Sequence, residues 1–374
     1  MTTDNLYIGI MSGTSLDGVD VCLVNAQPQQ FKVMATHFLA YPSDIKSALL
    51  TLHTPSHNEL EQSQLLANAL SKLYAEAVRT LLDQQQLNPS QVNAIGCHGQ
   101  TIRHKPIING NVGFTLQIGN AALLAELTHI TVVSDFRSRD IAAGGQGAPL
   151  VPAFHQSVFS HPNQQRAIIN IGGIANITYL PKSTDQQFQV LGFDSGPGNM
   201  LIDAWIKQHL HQDYDANGAW AQTGKLDHAL LHRMMRDPYF AAPPPKSTGR
   251  DLFNDEWLYS LLSNTNLQPN DVARTLTTFT ASTIAEALVK FCPPVDEVYL
   301  CGGGARNSLL VNELRNCLPS TLIEPTDALG VGVDWVEAAA FAWLAQQTMQ
   351  HLPSNLPAVT GAKGLRILGA IYQA

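Results

Sequence analysis

Tyr7-Ile8-Gly9-Ile10-Met11, Ser12-Gly13-Thr14-Ser15-Leu16-Asp17-Gly18 and Val19-Asp20-Val21-Cys22-Leu23-Val24 read as a strand, a polar turn and a second strand. Residues 167–180 repeat the outline, with Gly172-Gly173 between two apolar runs. Two such units in one chain point to a duplicated domain. Working outward, strand-like runs recur at 92–97, 114–118, 130–134, 188–193 and 297–301. Helical patterns lie near 119–127, 199–210, 271–291, 306–316 and 333–349. Leu66, Leu70, Leu73, Ala77 and Leu81, spaced by three and four, predict a long amphipathic helix within 58–86. Alternating strands and helices predict α/β layers with helices on both sheet faces. Breaks fall in the Gly- and Arg-rich loop 135–149 and near 352–364, where Pro353 and Pro357 stop any helix before a last strand-like run at 366–372. Pro243-Pro244-Pro245 reads as a surface loop.

Composition limits the function classes. The chain has 374 residues and a net charge of −8, with 45% hydrophobic and 14% charged residues. That length suggests two or three domains, and that balance a folded, soluble chain. Net acidity argues against nucleic-acid or anionic-membrane partners, so an anionic ligand needs a local site of loops and backbone amides. Five scattered cysteines without a CxxC pair suggest neither a disulfide framework nor a zinc cluster. No basic, apolar leader opens the sequence, and no run nears the roughly 18 apolar residues of a membrane span. The expected location is the cytoplasm.

Four glycine-rich turns adjoin strand-like runs: 13–18, 170–176, 192–199 and 301–307. Glycines let the main chain approach a phosphate or a flat ring, and loops opening a helix suit anions. The first turn reads equally as a plain hairpin. No P-loop occurs, and Gly196-Pro197-Gly198-Asn199-Met200-Leu201 fails the dinucleotide fingerprint at its third glycine. Asp194, closing an apolar run and flanked by glycines, fits a general base or a carboxylate beside hydrated Mg²⁺; a helix N-cap is the competing role. Arg137 and Arg139 fit an anion clamp, or local pairing with Asp135 or Asp140. His98, in Cys97-His98-Gly99-Gln100-Thr101, fits a ligand donor or a structural one. Glu337, in an apolar helix, either faces solvent or is buried with a polar partner. No His or Cys spacing supports a metal site.

Met11 to Asp20 closely resembles the start of the anhydro-N-acetylmuramic acid kinases. The likeness continues in Cys97–Thr101, Asp135-Phe136-Arg137, Gly147-Ala148-Pro149-Leu150, Phe193 to Asn199, Cys301 to Asn307, Asp334-Trp335-Val336-Glu337-Ala338 and Val359-Thr360-Gly361-Ala362. Ser195 stands where many members carry Thr. The resemblance implies the two-domain actin-like ATPase fold (the sugar kinase/Hsp70/actin superfamily) with a central ATP cleft. The expected domains are 1–138 plus 353–374, and 139–352. ATP would meet Gly13, Thr14, Ser15, Leu16, Asp17, Gly18, Val19 and Asp20, then Asn170, Gly172 and Gly173, then Gly196 and Gly198. Gly302, Gly303, Gly304 and Asn307 would contact adenosine. Asp194 would be catalytic, with Arg137 or Arg139, Gln146, Gly147, Glu337 and His98 toward the sugar.

The implied reaction joins ATP, water and 1,6-anhydro-N-acetylmuramic acid to give N-acetylmuramic acid 6-phosphate and ADP, a step in peptidoglycan sugar recycling. ATP and Mg²⁺ are the implied cofactors and a homodimer the implied assembly. The alternatives are an ordinary hydroxyl-sugar kinase, an ATP-driven binding module and, weakest, an oxidoreductase.

Overall fold

Strand β1 (Leu6–Ser12) is buried along its whole length. Its alternation serves two layers: Ile8 and Ile10 face one core, and Gly9 faces the opposite side. β1 pairs antiparallel with β2 (Gly18–Gln27), which pairs antiparallel with β3 (Gln30–Ala40). On its other edge β1 runs parallel to β4 (Val92–Ile108), which takes β5 (Asn111–Ile118) as a hairpin partner and β6 (Val132–Ser134) as a parallel neighbour. The helix Glu59–Gln85 lays Leu66, Leu70 and Leu81 on the Ile8/Ile10 face, as its spacing predicts.

The computed structural model describes residues 5–374 apart from 28, 29, 186 and 264. They divide into two units, residues up to 158 with 335–374, and residues 159–334. In the second, β7 (Arg166–Ile171), β8 (Ile174–Leu180) and β9 (Leu191–Pro197) form an antiparallel meander. β10 (Glu297–Cys301) is parallel to β7, and β11 (Leu322–Pro325) is parallel to β10. The helix Pro269–Phe291 covers this sheet with Ala281, Ile284 and Leu288. Both sheets therefore share the order third, second, first, fourth, followed by a further parallel strand: β6 in the first unit, where β5 pairs with β4 off this path, and β11 in the second. The duplication read from 6–24 and 167–180 extends to whole sheets, and the architecture is that of the two-domain actin-like ATPases. β12 (Ala370–Tyr372), shorter than the expected 366–372, returns antiparallel to β6.

The unit boundaries lie at 158/159 and 334/335, not at 138/139 and 352/353. The helix Val336–Met349 accounts for the later shift. A β-carbon on Gly9 would overlap the Ala338 carbonyl oxygen, and one on Gly96 that of Phe341, so this helix rests directly on β1 and β4. Phe154, in the helix Val151–Phe159, packs against Phe31 and Trp343 of the same unit.

Candidate active site

In the first unit, the turn between β1 and β2 is built from below. Gln100 is fully buried; its Nε2 donates to Gly13 O at 3.1 Å and its Oε1 accepts from Tyr41 at 3.4 Å. Ser12 Oγ contacts Tyr74 OH and donates to Gly99 O, each at 3.0 Å. Leu16, at φ 58°, tucks its side chain into the core, which leaves Thr14 and Ser15 exposed at the tip. Gly18 is required by contact, since a β-carbon there would overlap Leu39 O. Asp17 is exposed, 3.6 Å from Lys46; Val19 points into the core and Asp20 is half-buried on β2. The turn is thus a hairpin, and its underpinned main chain also presents free backbone and hydroxyl groups.

Arg137 separates from Arg139. The Arg137 guanidinium approaches His98 Nε2 through Nε at 3.2 Å and Nη2 at 2.9 Å, and donates through Nη1 to Gly147 O at 2.8 Å. Burial and the Arg137 charge hold His98 well below its ordinary pKa, so the imidazole is neutral and accepts at Nε2. Burial also lowers Arg137 to about 10, opposed by Glu337. Glu337 is raised by burial and drawn back by Arg137; its carboxylate makes no protein hydrogen bond among the described residues. Arg139 is exposed.

Neither arginine pairs with Asp135 or Asp140. Asp140, wholly buried, accepts from Gly147 N, Asn355 Nδ2 and Thr360 Oγ1, all at 2.8 Å. Gln146 is exposed and its amide donates to Thr360 O at 2.7 Å. The C-terminal segment therefore holds the loop that holds Arg137.

In the second unit three glycine loops interlock. Asn199 N donates to Gly172 O at 2.8 Å, while Gly198 N and Met200 N donate to Gly173 O at 2.9 and 3.2 Å. Gly302, at φ 78°, sits against Asn170 Oδ1, and Gly304 against Ile171. Gly196 is buried beneath the Phe240 ring, and Asn307 caps the helix Ser308–Cys317 through Leu310 N at 3.1 Å. Gly173 and Gly303 are exposed, with nothing nearer a β-carbon than 3.8 and 3.9 Å. These two leave bare main chain open to a ligand.

Asp194 lies beside this cluster on β9, opposite Asn176. It is not a helix N-cap. Its N–H donates to Lys246 O at 3.1 Å, its carbonyl accepts from Tyr239 OH at 2.7 Å, and Oδ2 accepts from Thr248 N at 3.0 Å. Burial raises its carboxyl to about 6, against the lowering effect of the Thr248 amide. A half-buried carboxylate with one oxygen tied and the other available is suited to proton abstraction near neutral pH.

The model of the anhydro-N-acetylmuramic acid kinase family matches residues 5–374. The chain belongs to this family. A Nitrosomonas europaea anhydro-N-acetylmuramic acid kinase is 52% identical over 368 residues, 98% of this chain and 99% of that protein. A Pseudomonas syringae protein of the same name is 49% identical over 372 residues, 99% and 100% of the two chains. Membership makes the chain an ATP-dependent phosphotransferase.

Within this kinase family member, sequence reasoning passed over the residues that build the site from behind. Asp140 was weighed only as an arginine partner, Gln100 only as part of a motif, and Thr248, Tyr239 and Asn355 not at all. A Gln following His98-Gly99 and the Lys246-Ser247-Thr248-Gly249 run after three prolines were the available signals. Among the described residues there is no group of three or more potential metal ligands, and no helix is long and apolar enough to cross a membrane. None of the five cysteines forms a disulfide.

Proposed function

We propose that the chain converts 1,6-anhydro-N-acetylmuramic acid, ATP and water to N-acetylmuramic acid 6-phosphate and ADP, with Asp194 as the base. The observation that carries this is the Asp194 carboxyl, held at Oδ2 by Thr248 N, with Oδ1 unengaged among the described residues and the pKa raised by burial to about 6. Asp194 takes a proton from water, the water oxygen bonds to the anomeric carbon, and the C1–O6 bond breaks. O6 then takes the γ-phosphoryl group and ADP departs. Exposed Gly173 and Gly303 suit the nucleotide, and the Thr14–Ser15 tip suits phosphate oxygens. Arg137 and Glu337 supply a cation and an acceptor toward an acidic amino sugar.

Mg²⁺ would neutralise phosphate charge. The sparse carboxylates fit an ion carried mainly by phosphates and water, with Asp194 or Asp20 as candidate protein donors. The family resemblance adds a cytoplasmic location, a role in peptidoglycan recycling and a homodimer to the proposal. The reaction in H₂¹⁸O tests it: label is expected at C1 of the phosphorylated product. Activity confined to the ring-opened sugar, with unlabelled C1, would instead make the chain an ordinary hydroxyl-sugar kinase.

A further inference from the structure

Thr248 combines one made hydrogen bond with one unmade, a pairing that does not suit a purely structural residue. Its amide donates to Asp194 Oδ2 at 3.0 Å. Its hydroxyl is buried and finds no hydrogen-bond partner among the described residues. A buried hydroxyl without a partner lowers stability, and valine would fill the same volume without that penalty. The segment carrying Thr248 is firmly held, so the hydroxyl is not there by slack. Lys246 Nζ donates to Tyr239 O at 3.1 Å and lies 4.6 and 4.7 Å from the Tyr239 and Phe291 ring centroids. Lys246 O accepts from Asp194 N, and Tyr239 OH donates to Asp194 O. Residues 239–248 thus grip the aspartate at its amide, its carbonyl and one carboxylate oxygen.

We propose that Thr248 is a positioning residue for the water that Asp194 deprotonates: its amide reserves Oδ2, which assigns the proton to Oδ1, and its hydroxyl holds the attacking water in line. The inference rests on the Asp194 reading. In the step, one water O–H bond breaks, its proton passes to Asp194 Oδ1, and the oxygen electron pair forms the new bond to C1. The C1–O6 pair leaves with O6 and attacks the γ-phosphorus, and the pair of the breaking P–O bond leaves on ADP. Thr248 gains and loses no atom.

The test is steady-state kinetics of Thr248→Val and Thr248→Ser beside Asp194→Asn, with ATP and the anhydro sugar, and thermal unfolding of each. Thr248→Val should lose at least tenfold in kcat with both KM values within threefold, and unfold no lower than the parent. Thr248→Ser, which restores a hydroxyl on the same amide, should recover most of the rate. Thr248→Val with parental kcat would overturn the proposal, as would a Thr248→Ser variant as slow as Thr248→Val. Asp194→Asn separates the two readings. If it is inactive while Thr248→Val is normal, the role of Thr248 fails alone; if it is near normal, the Asp194 reading fails first.

Discussion

The Gly172 carbonyl oxygen accepts from Asn199 N and sits so close to Gly198 that a β-carbon there would overlap it. Two loops 26 residues apart in sequence (172 to 198) are therefore locked main chain to main chain. Gly198→Ala should lower stability by about 1–3 kcal/mol, the usual effect of overpacking, and weaken ATP binding with it. Gly173→Ala and Gly303→Ala meet protein atoms only at ordinary van der Waals distance, 3.8 and 3.9 Å, so their unfolding should match the parent. Their KM for ATP should nevertheless rise about tenfold or more if nucleotide lies on that surface, since tenfold is only ~1.4 kcal/mol. Parental KM in both would remove these loops from the nucleotide site.

Asp194 carries a prediction of opposite sign for activity and stability. Its folded pKa of about 6 lies above the ordinary 3.8, so the proton binds more tightly in the folded state. Its stabilising contribution is complete below 3.8 and is lost as pH rises through about 6. The difference converts to ~3 kcal/mol at most, reduced by partial exposure. At pH 7.5, Asp194→Asn should thus unfold at or above the parental temperature while turning over at least about a hundredfold more slowly. Calorimetry paired with kinetics checks both signs; a large drop in unfolding temperature would point to a structural role.

With Asp194 as the proposed base, the same carboxyl should set the acid limb of the rate. Parental kcat should fall tenfold per pH unit below about 6, as protonated Asp194 ceases to accept. Residual turnover of Asp194→Asn should show no such ionisation. An acid limb unchanged in that variant would assign the ionisation elsewhere, with the raised Glu337 carboxyl the first alternative.

Gln100 supports the first turn through Gly13 O. Gln100→Leu removes one hydrogen bond from that carbonyl, which keeps Leu16 N at 3.3 Å, and one from Tyr41 OH, which keeps Tyr74 OH at 3.4 Å, at about 0.5–1.5 kcal/mol each. The expected kinetic effect is a raised KM for ATP with smaller change in kcat. Unchanged KM alongside lost stability would restrict Gln100 to the core.

Arg137 spans His98 Nε2 and Gly147 O with different nitrogens of one plane. Lysine has a single ammonium and cannot reproduce that fork. Arg137→Lys should raise KM for the sugar about tenfold or more and leave KM for ATP alone, whereas Arg139→Lys, at an exposed position, should change neither. Equal effects of the two substitutions would contradict the distinction.

What was legible in the sequence is what local rules govern. The Leu66–Leu81 spacing, the strand at Glu297–Cys301 and the glycine turns are set by neighbours within a few residues. β3 was missed although Phe31, Val33 and Ala35 alternate, because its exposed residues interrupt any apolar run. The boundary at 334/335 was not legible, because it depends on Gly9 and Gly96 meeting a helix more than two hundred residues away. Asp140 and Thr248 were hidden likewise: one is satisfied by Asn355 and Thr360, the other matters only where β9 passes it.

Gly9 and Gly96 touch the backbone of the helix Val336–Met349, which carries Glu337 in its first turn. With no side chains as spacers, the carboxylate is indexed to the sheet as a tooth is to a rack. Slight growth at either glycine would translate the whole helix and carry Glu337 with it. Two residues buried against that helix thereby help to set the reach of a proposed sugar contact.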